Sequence, residues 1–208
     1  TLDGQGIAYS ATTFEKGKQV SKVDYTIQSA QSQSHGAAGA EGAVDLTNKM
    51  QLTGLTQTMT LPAGSPPDGT PPRMTTFQMT AESVDQDTKA QGLRWSGLLS
   101  IYRWFLAHRT KAEVETSKAE LAGLIRTALP IFDHYGVDAQ LNNVSVKTPT
   151  GTVGADKVRL ALNANGAVAD GKIGETLSIE GPHLPSGIVP PWAVPLFPQK
   201  LSLNFGAS

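Results

Sequence analysis

A chain of 208 residues is long enough to bury a hydrophobic core without disulfide bonds, and this length fits one domain. Charged residues make up 17% of it, against about 25% in typical globular proteins, and polar uncharged residues fill the difference, as in exported β-proteins. With 17 basic and 18 acidic side chains, the composition gives no electrostatic footprint for nucleic acid or anionic lipid, and the absence of Cys excludes disulfides, thiol nucleophiles and Cys-ligated metal sites.

The first 92 residues have the pattern of long polar strands. Val23, Tyr25 and Ile27 alternate with polar residues, which predicts a half-buried antiparallel strand. Residues 35–42 are rich in Gly and Ala and predict a flexible turn. Strand composition resumes over residues 44–61. This part of the chain therefore predicts antiparallel strands from residue 1 to residue 92.

A proline-rich stretch interrupts these strands at residues 62–72. It contains five Pro and two Gly, which cannot form a regular hydrogen-bonded ladder. We therefore predict a mobile loop on the surface. Beyond it, Phe77, Met79 and Ala81 fall on one face of a further strand.

The pattern becomes helical at Trp95. Residues 96–107 have hardly any polar positions, which predicts a helix buried on most sides. The sequence Thr110-Lys111-Ala112-Glu113 matches a capping box and predicts the start of a second helix, which Pro130 ends. Because only a couple of residues separate the two helices, we expect one helical hairpin at about residues 96–129.

Strands return over residues 137–205. The alternation of apolar residues changes phase once, near Asn142 and Asn143, which predicts a bulge or a bend. A turn is predicted at residues 148–151, and Asn165-Gly166 is a hairpin signal. The order of strands, hairpin and strands predicts a single α+β domain over residues 1–208, with a mostly antiparallel, curved β-sheet packed on one helical hairpin.

The most individual sequence lies in the second half of the chain. It comprises a helix over residues 121–130 that ends in Ala-Leu-Pro, then strands over 144–151 and 158–162, and a tail over 184–203. This arrangement, mainly over residues 121–205, resembles the YdgA-like proteins and a related alphaproteobacterial periplasmic family of unknown function. The resemblance implies a strand-rich fold in the periplasm of a Gram-negative bacterium, tethered to the inner membrane. It supplies no catalytic residues.

A search for reactive side chains gives no catalytic, cofactor or metal site. His134 follows Asp133, but adjacent residues seldom face one another, and no Ser lies in a recognisable nucleophile setting. His108, at the end of the first helix, is most simply a favourable cation near the helix C-terminus. The segment 85–87 begins like a calcium loop, but Lys89 occupies the next ligand position.

Two apolar clusters are the candidate binding surfaces. The first is an aromatic cluster that occupies an eleven-residue stretch at the first helix. It fits either a packed core or the wall of a groove. The second lies in the Pro-rich tail over residues 188–198 and fits either a strap across the sheet or a docking patch. Together the clusters contain Trp95, Tyr102, Trp104, Phe105, Trp192, Leu196 and Phe197.

These observations favour a non-catalytic cell-envelope module that binds a partner protein or supports assembly. The alternative is a periplasmic binding or transport protein for lipid or another hydrophobic ligand, held in a groove between the aromatic helix and the sheet. An unrecognised hydrolase ranks third. No stretch approaches the roughly 18–20 apolar residues of a membrane span, so we expect any membrane anchor or leader to lie upstream of residue 1.

Overall fold

Strands account for most of the chain in the computed structural model, which describes residues 1–15, 18–63, 73–166, 171–185, 190 and 192–207. Each strand pairs antiparallel with its neighbours in sequence, so the eight strands of the described residues form one open sheet in the order β1 to β8. The strands are β1 Leu2–Glu15, β2 Lys18–Ala38, β3 Val44–Pro62, β4 Met74–Leu93, β5 His134–Thr148, β6 Gly151–Asn165, β7 Lys172–His183 and β8 Lys200–Ala207.

The α+β class with a mostly antiparallel sheet is confirmed, and strands from both sides of the helical segment belong to the same sheet. The chain turns at residues 39–43, so the turn predicted at residues 35–42 begins too early: β2 continues to Ala38 and its Gly36 pairs with Leu46. Pairing with β3 outweighs the weak strand propensity of Gly and Ala there. Residues 64–72 of the predicted loop lie outside the described residues.

The helical segment contains α1 Trp95–Ala107, α2 Lys111–Thr116 and α3 Lys118–Ala128. The capping box is confirmed: Thr110 N donates to Glu113 Oε2 at 2.9 Å, and Glu113 N donates to Thr110 Oγ1 at 3.3 Å. The single second helix is wrong, because the backbone of Ser117 leaves the helical conformation and separates α2 from α3.

Helices α1 and α3 pack against each other. A Cβ atom added at Gly97 would lie 2.7 Å from the Cβ of Ala128, so glycine is what allows this close approach. Trp104 and Ala128 are buried, but most other large side chains of α1 are exposed, so the predicted helix buried on most sides is wrong. In the described residues neither helix makes an extended contact with a strand, and packing of the sheet on the hairpin stays a prediction.

The two faces of the sheet differ sharply in polarity. Along β4, Phe77, Met79 and Ala81 are half-buried or buried, while Thr76 and Gln78, on either side of Phe77, are exposed. The opposite face of the sheet, which we call the polar face, carries hydroxyl, amide and charged side chains. Such alternation is what a sheet with one apolar face produces.

A row of left-handed residues crosses the sheet perpendicular to the strands. The odd-numbered strands β1, β3, β5 and β7 each contribute one residue with positive φ to this row, as the register of the strand pairs shows: Gly6 (61°), Gly54 (60°), Asn143 (50°) and Gly181 (57°). The intervening strands contribute Gln28, Glu82 and Asp156, each beside a left-handed residue. We call this row the crease.

The crease changes which residues of each strand face the apolar side. On β4 the less exposed residues have odd numbers up to Ala81, and even numbers from Val84 to Ala90. On β6 the phase changes likewise between Ala155 and Val158. The bend predicted near Asn142 and Asn143 is confirmed, and it is one part of this feature. The crease thus keeps one side of the sheet apolar along the full strand length.

Candidate binding face

One side of the sheet is apolar on both sides of the crease, and we call it the apolar face. The rows that the strand register defines contain aliphatic and aromatic side chains from neighbouring strands. On the side nearer the helices these include Leu46, Met50, Leu52, Val84, Val137, Leu141, Leu160, Leu162, Leu177, Leu203 and Phe205. Beyond the crease they include Tyr25, Ile27, Leu55, Phe77, Met79, Val144, Val146 and Val153.

The apolar face has no second layer over it among the described residues. The chain exposes 14,097 Å² of surface, whereas a folded monomer of this mass exposes about 9,300 Å². Ordinary two-layer domains cover such a face with helices or a second sheet. The chain therefore exposes about 4,800 Å² more than a compact monomer of this mass, as expected of a single-layer sheet.

A first apolar cavity of about 390 Å³ lies at the helical end of this face. Leu46 of β3, Ala90 of β4 and Tyr135 of β5 share one row of the sheet and form its floor. Leu93, the last residue of β4, and Phe132, in the connection from α3 to β5, also line it. The cavity therefore lies where the chain leaves and re-enters the sheet.

A second apolar cavity, of about 480 Å³, lies beside the first along the same face. Leu160 and Leu162 of β6, Leu177 of β7 and Phe205 of β8 line it, and Glu175 also contributes. Because Tyr135 in the first cavity and Val137 in the second are successive apolar-face positions of β5, the two cavities adjoin. Both volumes lie in the range of small-molecule sites, about 300–1,000 Å³.

A small polar cluster interrupts the apolar face at β2, β3 and β4. Asn48 Nδ2 donates to the Oγ atoms of Ser32 and Ser34, each at 2.8 Å. On the neighbouring strand, Gln86 Nε2 donates to Thr88 Oγ1 at 3.0 Å. Ser34, Asn48 and Thr88 also line the first cavity, so this cavity combines apolar walls with hydrogen-bonding groups.

On the opposite, polar face of the sheet, charged side chains of neighbouring strands form ion pairs. Arg159 Nε donates to Asp138 Oδ1 at 2.8 Å, and the hydrogen bond and charge of this guanidinium lower the pKa of the Asp138 carboxyl. His134 does not pair with Asp133, because that carboxylate accepts a hydrogen bond from Arg94 at 2.7 Å. Among the described residues no three His, Asp or Glu side chains converge as a metal site would require.

The structure separates the residues that the sequence singled out. Trp104 is 4% exposed, and its ring stacks on His108 with centroids 4.1 Å apart. Trp95, Tyr102 and Phe105 are exposed. In the tail, Trp192 and Leu196 are each 75% exposed and Phe197 is half-buried. None of these seven lines either apolar cavity.

The cavity residues were missed because each looks ordinary within its own strand. Tyr135, Leu160 and Phe205 come from three separate strands, and only the register brings their rows together. A usable signal was present in the sequence. The apolar alternation of β5 changes phase near Asn143, and the same change recurs along the other strands of the crease.

Fold and face together define a class of protein: an open antiparallel β-meander with one apolar face and a helical insertion between β4 and β5. No protein-family model, curated protein or solved structure matches the chain. The resemblance to the YdgA-like proteins therefore stays a prediction. In the described part of the chain, no helix has both the length and the hydropathy that crossing a bilayer requires.

Proposed function

We propose that this protein is a non-catalytic binding protein of the bacterial periplasm that holds the acyl chains of an amphipathic lipid on its apolar face. The observation that carries the proposal is the uncovered apolar face with its two adjoining cavities. A ligand with long hydrocarbon chains removes such a surface from water without requiring hydrogen bonds from it. The geometry thus favours the lipid-binding alternative over the partner-binding hypothesis.

The dimensions of the face suit an elongated ligand. Strands of about 15 residues span about 50 Å, and eight strands span about 34 Å across the sheet. The acyl chains of one leaflet occupy about 15 Å, half of the hydrocarbon core of a bilayer. More than one acyl chain therefore fits side by side along the strands.

The polar cluster gives the ligand an orientation. Asn48, Ser32, Ser34 and Thr88 offer amide and hydroxyl groups inside an otherwise apolar surface. At the paired positions of β3 to β8 that face this side, no Lys or Arg occurs. We therefore propose a lipid whose polar part is recognised by uncharged hydrogen-bonding groups, with its chains directed toward the second cavity.

The helical hairpin belongs to the same proposal. Leu93 precedes α1, Phe132 follows α3, and both line the first cavity. We propose that the hairpin packs over this end of a curved sheet and closes the cavity from water. The single domain of the sequence analysis would then consist of the sheet as binding surface and the hairpin as its cover.

Partner binding remains the second candidate function, and the two sheet edges favour it. β1 and β8 each pair on one side only, and β1 exposes Leu2, Tyr9 and Phe14. An exposed edge strand can add a strand from another chain through backbone hydrogen bonds. An envelope protein docked there would extend the apolar face of the sheet, which is compatible with a role in assembly.

Mass spectrometry of lipid extracted from the purified protein tests the proposal. We expect a stoichiometric lipid, and we expect Leu160→Glu to lose it, because the variant replaces an apolar wall of the second cavity with a second carboxylate beside Glu175. Asn163→Glu, on the opposite face of the same strand, is the matched control and should keep the lipid.

Affinity for a fluorescent fatty acid measures the same effect quantitatively. We expect Leu160→Glu to weaken binding at least about tenfold, since burying one Leu side chain contributes about 1.5–3 kcal/mol. Equal binding by the two variants, or a purified protein without lipid and without fatty-acid binding, would contradict the proposal.

A further inference from the structure

Helix α1 carries an apolar stripe that no described residue covers. Trp95, Leu99, Tyr102 and Leu106 follow the spacing of one helix face, and each is between 47% and 61% exposed. Trp104 lies on the other side of the helix, where it is buried. The hairpin therefore has its own small core and still presents a second apolar surface to the outside.

The charged residues of α1 and of the connection to α2 are all basic. Residues 95–112 contain Arg103, Arg109 and Lys111 but no Asp or Glu, although the chain as a whole has a net charge of −1. The next acidic residue along the chain, Glu113, is engaged in the capping box with Thr110, and Asp133 is paired with Arg94, the residue before Trp95. The remaining acidic residues of the helical segment, Glu115 and Glu120, lie on α2 and α3.

We infer that the apolar stripe of α1 docks on the surface of a bilayer that contains anionic lipids. Interfacial helices combine an apolar face, Trp or Tyr at the level of the head groups, and flanking Lys or Arg. α1 has all three features, and Arg103 is exposed near the stripe. The basic charge favours an anionic membrane over a symmetric dimer through this stripe, because such a dimer would bring the same cations together.

The inference extends the proposed function and rests on it for its meaning. Leu93 lines the first cavity, and only Arg94 separates it from the start of α1. With α1 on the bilayer, the cavity would open next to the lipid source. A lipid could then pass from the membrane to the apolar face without exposing its chains to water.

Flotation with vesicles tests the docking directly. We expect the protein to float with phosphatidylcholine vesicles that contain phosphatidylglycerol, and much less with phosphatidylcholine alone. Replacing both Leu99→Gln and Leu106→Gln should reduce binding at least about tenfold, since two half-exposed Leu side chains no longer enter the interface. Arg103→Gln should reduce it about fivefold, on the anionic vesicles only.

The matched control replaces Ser96→Gln and Ser100→Gln, two exposed positions off the stripe. This pair should bind vesicles as the wild type does, and circular dichroism checks that the helices persist. Equal vesicle binding by the stripe variant and the control would overturn the inference. So would a wild-type dimer that the stripe variant dissociates while neither protein binds vesicles, because a second copy would then cover the stripe.

The two proposals fail in different ways. If only membrane docking is wrong, neither the wild type nor the stripe variant (Leu99→Gln with Leu106→Gln) binds vesicles, but both still bind the fluorescent fatty acid. If only lipid binding is wrong, the protein floats with anionic vesicles while Leu160→Glu changes neither lipid content nor fatty-acid affinity. Each result identifies the proposal that it contradicts.

Discussion

Replacing Gly54 with Ala tests the crease at its centre. Gly54 has a φ of 60°, and a Cβ atom there would overlap the side chain of Gln28 on β2. An L-residue in this conformation costs about 1–2 kcal/mol. Moving Gln28 to an off-rotamer conformation adds about 0.5–1.5 kcal/mol to this cost. The lower conformational entropy of the unfolded Ala variant offsets about 0.4–1 kcal/mol of it. We expect Gly54→Ala to lower the free energy of unfolding by about 0.5–3 kcal/mol.

Urea unfolding followed by circular dichroism in the strand region measures this change. Gly174→Ala is the matched control, because Gly174 lies in β7 with a φ outside the left-handed region and open space around its Cα. There Ala should raise the free energy of unfolding by about 0.5–1 kcal/mol. The double variant Gly54→Ala with Gln28→Ala removes the overlap and should recover part of the loss.

Opposite signs for the two glycine variants are the essential result. If Gly54→Ala were as stable as the wild type, a left-handed residue at this position would be refuted. If Gln28→Ala recovered nothing, the contact between Gln28 and Gly54 would be refuted, and only the backbone conformation would remain as the cause.

Two further changes probe the hairpin and the polar face. Trp104→Ala should destabilise the hairpin by about 3–5 kcal/mol, because it removes a large buried side chain. Trp104→Phe should cost less, because it keeps an aromatic ring and removes only an Nε1 that has no hydrogen-bond partner among the described residues. Near-ultraviolet circular dichroism during urea unfolding measures both losses, and equal losses would contradict the reasoning. Asp138 has a lowered pKa in the folded protein, mainly through its hydrogen bond from Arg159, so its contribution to stability is complete above its ordinary pKa of about 3.9 and is lost as the pH falls through the folded value. Asp138→Asn should therefore flatten the decline in melting temperature below about pH 4, and an unchanged acid profile would contradict this.

Local patterns were sufficient for the elements and the class of the fold. The capping box at Thr110, the strand over residues 44–61 and the bend at Asn143 were all readable, because each depends on residues close together in the chain. Local patterns began the turn at residues 35–42 too early and joined α2 to α3. In the first case pairing with a distant strand decided the conformation.

Local sequence patterns could not identify the candidate site, because its residues come from separate strands. The sequence drew attention to Trp95, Tyr102, Trp104 and Phe105 because they are large and close together, yet a helix points such neighbours in different directions. Only the packing of α1 on α3 decides that Trp104 is buried while Trp95 and Tyr102 are exposed.

The sequence by itself determined that strands with one apolar and one polar face enclose a helical segment, because side-chain alternation is a property of each strand alone. Tertiary structure decided that the phase changes of separate strands align in one crease, since alignment depends on register between residues as distant as Gly6 and Gly181. It also decided that Leu46, Tyr135 and Leu160 share an uncovered face. That face exists only when the whole sheet is assembled, because the strands that build it are joined by pairing and not by proximity in the chain.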